Sequence, residues 1–125
     1  MKYFICTLET TRSENFGNCL LAIPHEYTER IISTGSVDAV LEGNLRDFIS
    51  IPNLLNLKDK STKHELILKS KTALLLPKID VELEISEEEI QQLPKVLGEM
   101  FNYFRGVYFN SDMILILDPE KLLEH

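Results

Sequence analysis

Apolar residues in this chain fall in short runs broken by polar turns, and few are spaced at helical intervals. Ile79, Val81, Leu83 and Ile85 alternate with Asp80, Glu82 and Glu84. That period of two predicts a strand with a core face and an acidic face. Lys2 to Leu8 reads as a strand partly buried on both faces, since Tyr3, Ile5 and Thr7 alternate with Phe4, Cys6 and Leu8. Phe16-Gly17-Asn18 carries a hairpin turn signal, and Cys19 to Ile23 is the returning strand. Glu65 to Leu68 and Thr72 to Leu76 are strands about a Ser70-Lys71 turn. Arg105 to Phe109 and Met113 to Leu117 are strands about Asn110-Ser111-Asp112, whose short polar side chains bond their own backbone. Asp118-Pro119 stops the last strand, because proline offers no N–H to a ladder, and Glu120 to Leu123 follows as a short turn.

Three stretches read differently. In His25 to Ser33, Pro24 and the Tyr27/Ile31 spacing suit a short helix, whereas Ile31-Ile32 before Thr34-Gly35-Ser36 suits a strand and turn. Ser86-Glu87-Glu88-Glu89 has the form of a capping box, with the Ser86 hydroxyl accepting from the Glu89 amide. A capped surface helix accounts for its three carboxylates better than a metal site or an acid–base pair does. Val96 to Phe104, apolar around Gly98, is expected to be a loop or short helix over the core.

Two motifs occur twice in the same order. Cys19-Leu20-Leu21-Ala22-Ile23-Pro24 is similar to Thr72-Ala73-Leu74-Leu75-Leu76-Pro77. The stretch Gly43 to Leu55 and the stretch Gly106 to Leu123 both run glycine, extended segment, apolar strand, proline, Leu-Leu. The chain is therefore expected to hold two copies of one β unit, each about 60 residues long, sharing one core because neither buries enough alone. Lys58 to Lys63 has no apolar residue and is the expected joint, placing a split near residues 56–64 of a single 1–125 domain whose halves are discontinuous or sequential.

Composition narrows the function. With 20 acidic and 13 basic residues the net charge is −7, which argues against nucleic acid or an anionic membrane as main partner. No apolar run approaches the length needed to span a bilayer, and the start is too short for a signal peptide. Glu124 and His125 read as a tag remnant. Cys6 and Cys19 lie inside apolar strand patterns and are expected to be small buried hydrophobes in a reducing cytoplasm, with a disulfide or metal role the less favoured reading. His25 and His64 each sit beside a glutamate, Glu26 and Glu65, but neighbours along a strand point to opposite faces. No zinc-protease, nucleophile-elbow, phosphate-loop or dinucleotide motif is present. A binding or scaffold role without enzyme activity, metal or cofactor is the expectation.

The motifs resemble the CheW-like family, the coupling modules of bacterial chemotaxis. Leu20 to Pro24 with Glu29 to Ile32 resembles the family's opening segment. Gly43 to Leu54, with Asn44-Leu45-Arg46 inside it, resembles its signature, and Ala73 to Ile79 a further motif. Arg105 to Leu123, closing on Leu117-Asp118-Pro119-Glu120-Lys121-Leu122-Leu123, resembles its end. The match runs in order along nearly the whole chain. Asp47 stands where the family has glycine, Pro77 where it has aspartate, and Arg30 near a common acidic position; the segment before Gly43 is short.

The resemblance implies an all-β fold of two small five-stranded β-barrel subdomains packed on a shared hydrophobic core, with one or two short helices. It implies a cytoplasmic adaptor of a two-component system that couples the cytoplasmic tip of a methyl-accepting chemoreceptor to the regulatory domain of a CheA-type histidine kinase. It places partner binding on Arg46 and Asn44, with Thr28, Arg30 and Ile31 in a second receptor-side segment. An Arg46 salt bridge to Asp47 or Glu42 is the structural alternative. Service to another signalling kinase, or a small-ligand barrel, are the alternative functions.

Overall fold

The computed structural model describes residues 1–8, 19–35, 47–57, 60–93 and 102–124. Nine strands appear among them: β1 (Lys2–Thr7), β2 (Cys19–Pro24), β3 (Thr28–Ser33), β4 (Phe48–Ser50), β5 (His64–Leu68), β6 (Ala73–Leu76), β7 (Ile79–Glu84), β8 (Phe104–Asn110) and β9 (Asp112–Leu117). Two short helices, α1 (Ile51–Leu54) and α2 (Pro119–Leu123), follow β4 and β9. The fold is all-β, in two sheets of order β7-β1-β2-β9-β8 and β3-β5-β6-β4. The second sheet shows four strands among the described residues where five were expected. Neither sheet closes into a full ring of strands among them.

The chain divides into two units, Met1–Glu26 with Asp80–His125, and Tyr27–Ile79. Residues 56–64, the expected joint, lie inside the second unit. The reason is long-range pairing. In the first sheet β1 and β2 form an antiparallel hairpin, Ile5 opposite Ala22, while β2 runs parallel to β9, Leu21 opposite Leu115. In the second, β5 and β6 form the hairpin, Leu66 opposite Leu74, and β6 runs parallel to β4, Leu74 opposite Ile49. Each hairpin is thus completed by strands from the other half of the sequence: β7, β8 and β9 in one case, β3 and β4 in the other. Parallel neighbours need long crossovers, which is why the duplicated motifs exchange partners instead of folding as sequential halves.

The look-alike motifs occupy equivalent places. β2 and β6 are the strands with one antiparallel and one parallel neighbour. β4 and β9 are their parallel partners, and each ends in a capped helix. Ser50 caps α1, its hydroxyl accepting from the Asn53 amide at 3.4 Å. Asp118 caps α2, accepting from the Glu120 and Lys121 amides at 3.1 and 3.3 Å. The prolines inside each first turn, Pro52 and Pro119, lose no helical hydrogen bond there.

Burial follows the pairing. β2 and β9 are buried on both faces, with Leu21, Ile23, Leu115 and Leu117 on one and Ala22, Ile114 and Ile116 on the other. Parallel strands covered on both sides read as continuous apolar runs, as these do. The first unit's core joins Tyr3, Ile5, Ala22, Ile85, Ile114 and Ile116, flanked by Leu20, Leu83, Ile90 and Tyr108. Each large side chain so buried contributes about 1.5–3 kcal/mol. Cys6 is buried and stands opposite Leu21, not Cys19.

Three local expectations change. His25 to Ser33 is both things proposed for it: a 3-10 turn, His25–Tyr27, and then β3. Ser86 makes no side-chain cap; Glu87–Glu89 is a three-residue 3-10 turn closed by the Glu89 amide on the Ser86 carbonyl at 2.9 Å. So short a turn offers too few free amides to reward a capping box. Val81 is 58% exposed despite its apolar alternation, on β7, the outermost strand of its sheet among the described residues. Val96 to Phe101 lies outside the described residues, as do Phe16-Gly17-Asn18 and Gly43.

The segment after β7 reaches the far end of the same sheet. Gln91 and Val107 exchange two backbone hydrogen bonds, 2.8 and 2.9 Å. Gly106 permits this: a Cβ there would lie 2.5 Å from the Gln91 carbonyl oxygen and 2.6 Å from the Ile90 Cγ2. Arg105 pairs with Glu87 beside the bridge.

Candidate partner-binding surface

Of the five residues expected to bind partners, Arg46 and Asn44 lie outside the described residues. Thr28, Arg30 and Ile31 lie on β3, the outermost strand of the second sheet among the described residues. Thr28, Ile31 and Ile32 are β-branched and suit an extended, half-buried strand. The register slips between Thr28 and Arg30, a bulge that leaves Glu29 as the extra residue.

Two contacts fix that bulge. The Lys69 amide donates to the Tyr27 carbonyl at 2.9 Å, and Lys71 pairs with Glu29. Both lysines belong to the β5–β6 turn. There the Lys71 amide closes on the Leu68 carbonyl at 2.8 Å, and Lys71 takes a left-handed backbone, φ 77°. A three-residue hairpin loop of this type ends in a left-handed residue. The Lys71–Glu29 pair is solvent-exposed, so it contributes under about 1 kcal/mol and mainly sets geometry.

The bulge also decides which residues share a face. Thr28 opposes Leu68 and Ile31 opposes Leu66, two residues apart on β5, so Thr28 and Ile31 point the same way. Arg30 opposes Ile67 and points the other way. The three β3 residues therefore do not form one patch. Arg30 begins a row that crosses the sheet through Ile67 and Ala73 to Phe48. The middle of that row is fully buried, while Arg30 is exposed and Phe48 is 40% exposed. An exposed aromatic at the far end of the arginine's row is a feature that sequence reasoning missed. Its only sequence signal is that Phe48 starts a short strand directly after Asp47.

Charge is divided unevenly. The first unit holds 14 acidic and 5 basic residues, net −9; the second holds 6 acidic and 8 basic residues, net +2. The acidity of the whole chain therefore belongs to the unit without β3. Its most acidic stretch is β7 and the turn after it, where Asp80, Glu82, Glu84, Glu87, Glu88 and Glu89 are all exposed. The hydrogen bond from Arg105 holds the Glu87 carboxyl below its ordinary value, and the same bond holds Arg105 above its own. Burial holds the Tyr3 phenol above its ordinary value, opposed by the nearby Arg105 charge. Desolvation, with the Glu89 carboxylate close by, does the same to Tyr108.

Among the described residues no three His, Cys, Asp or Glu side chains are placed to hold a metal ion, and no helix is long and apolar enough to cross a membrane. His25 stacks on Phe4, ring centroids 3.9 Å apart, with its Nε2 3.7 Å from Glu82. The His64 ring bonds backbone. Neither lies beside a nucleophile in these contacts.

No protein-family model matches the chain, and no curated protein sequence matches it significantly. Among solved structures it is similar to the scaffolding protein TtCheW from Thermoanaerobacter tengcongensis. The TM-score is 0.64 at 14% identity, over 94% of this chain and 83% of that one. Two sheets, exchanged strands and capped helices thus add up to a CheW-like fold, carried here by a far-diverged sequence.

Proposed function

We propose that this chain is a non-enzymatic cytoplasmic adaptor, holding the regulatory domain of a CheA-type histidine kinase together with the cytoplasmic tip of a chemoreceptor. The observation that carries the reading is the fold likeness to a chemotaxis scaffold over 94% of the chain. The ordered resemblance of the Asn44-Leu45-Arg46 and closing motifs supports it independently of the structure. Arg46 is the anchor: a guanidinium packs and forms forked hydrogen bonds at once. Asn44 is assigned to the same partner-binding segment. Thr28 and Ile31 offer one face of β3, and Arg30 the other. Each interface would bury on the order of 800 Å² per side and gain strength by repetition in an array.

Binding of the purified chain to a CheA regulatory domain and to a receptor-tip fragment, measured by calorimetry, tests this. Wild-type protein is expected to bind both. Arg46→Glu is expected to weaken receptor-tip binding about 30-fold, the equivalent of about 2 kcal/mol at an anchor position. Binding to neither partner, with Arg46→Glu silent, removes the adaptor reading.

A further inference from the structure

The β8–β9 turn carries chemistry that an adaptor role does not use. Asn110 ends β8 opposite Asp112, Phe109 stands opposite Met113, and Ser111 is the residue between the strands. Asn110 and Ser111 are both exposed. Ser111 takes a left-handed backbone, φ 64°, a conformation that strains any residue with a Cβ. The bonds expected from these short side chains to their own backbone do not form at Asn110 or Ser111, and the Ser111 amide donates to nothing among the described residues.

A backbone nitrogen that loses its proton attacks the carboxamide carbon of an asparagine directly before it. A bulky side chain on the attacking residue blocks that approach, and an amide tied into a ladder keeps its proton. Asn110 is the one asparagine of the chain followed by serine or glycine; the others precede Phe16, Cys19, Leu45, Leu54, Leu57 and Tyr103. It also lies at an exposed loop tip, where the backbone is least held.

We propose that Asn110 is a self-modification site, which deamidates through a cyclic imide formed with Ser111. The Ser111 nitrogen gives its proton to hydroxide or water and bonds to Cγ of Asn110. The Cγ–Nδ2 bond breaks, and the nitrogen takes a proton from water and leaves as ammonia. Water then opens the ring. Cleavage of the bond from nitrogen to Cγ gives aspartate. Cleavage of the bond from nitrogen to the main-chain carbonyl gives isoaspartate, in which the chain runs through the side-chain carbons. The sum is amide and water to carboxylate and ammonium, with no oxidant or reductant.

Either product sets a carboxylate opposite Asp112, in a unit already at net −9. Like charges directly opposite across a strand pair repel. The isoaspartyl link also lengthens the main chain by one atom, so Phe109, already 56% exposed, loses its register with Met113. The end of the hairpin therefore loosens with age, in one direction only.

The test is peptide mapping by mass spectrometry of the full chain, kept folded at neutral and at mildly alkaline pH. Trypsin frees Asn110 on the fragment from Gly106 to Lys121, and chromatography separates its aspartyl and isoaspartyl forms. Asn110 is expected to lose its amide before Asn53, Asn56 and Asn102, faster at the higher pH, with isoaspartate among the products. Ser111→Gly suits the left-handed turn and removes the obstructing side chain, so conversion should quicken. In Asn110→Asp, exchange protection at the end of β8 is expected to fall about 3-fold, the effect of one like-charge pair. The proposal is overturned if Asn110 converts no faster than Asn53 and Asn56, if aspartate is the sole product, or if Ser111→Gly leaves the rate unchanged. Conversion in urea but not in the folded chain overturns it too, because the turn then protects Asn110. Unchanged protection in Asn110→Asp overturns the loosening.

Discussion

Gly106→Ala is the sharpest probe of how the first sheet is held. The new Cβ would sit 2.5 Å from the Gln91 carbonyl oxygen and 2.6 Å from Ile90 Cγ2. Ordinary contact is roughly 3.4 Å or more, so the Ile90–Gln91 segment must withdraw by the better part of an ångström. That carbonyl accepts from the Val107 amide at 2.9 Å, and the Gln91 amide returns a bond at 2.8 Å. Losing both costs about 2 kcal/mol, and partial withdrawal of Ile90 from the core about 1 kcal/mol more. Alanine's stiffer unfolded chain returns about 0.5–1 kcal/mol. The net expectation is a loss of about 2 kcal/mol, or roughly 8 °C in Tm for a chain of this size. Urea denaturation gives the first number, and amide exchange at Gln91 should show lost protection. Gly35→Ala is the control. Gly35 has φ 83° and nothing within 4 Å of a Cβ, so its loss of about 1 kcal/mol is backbone strain and leaves Gln91 protected. A Gly106→Ala protein within about 0.5 kcal/mol of wild type, with Gln91 still protected, refutes the reasoning.

Two further outcomes follow from the geometry. Asp118→Ala removes two cap bonds and should destabilise by about 1 kcal/mol, more than Ser50→Ala, whose single bond is long at 3.4 Å; equal losses in denaturant would contradict the cap assignment. Tyr3→Phe deletes a buried hydroxyl that finds no hydrogen-bond partner among the described residues, so stability should hold or rise by up to about 1 kcal/mol. The pH dependence has a definite sign. Burial raises the Tyr3 value in the folded state, so above pH 10 the unfolded chain loses this proton first and stability falls as pH rises. Tyr3→Phe should flatten that alkaline fall in a denaturation series.

Strand positions were legible because alternation and β-branched runs are local. β1, β2, β5, β6, β8 and β9 lie within a residue or two of their sequence limits. The Asp118-Pro119 stop also read correctly as a boundary, since a cap and a first-turn proline are decided within four residues. The capping box at Ser86 failed because the turn after it is only three residues long and closes on the Ser86 carbonyl, while its Glu87 is held by Arg105, which is 18 residues away. Of the candidate site, Thr28, Arg30 and Ile31 were found as residues, but the bulge at Glu29 that sends Arg30 to the opposite face depends on Lys69 and Lys71 of another hairpin.

What the amino-acid order determined alone was the set of strands, their two duplicated motifs and the apolar runs that demand burial on both faces. The tertiary structure decided which copy completes which sheet. β2 with β9, and β6 with β4, are parallel pairs between distant segments, and no local pattern distinguishes one equivalent apolar strand from the other as partner. The choice rests on the summed burial of whole sheets, a quantity that exists only once the chain has come together.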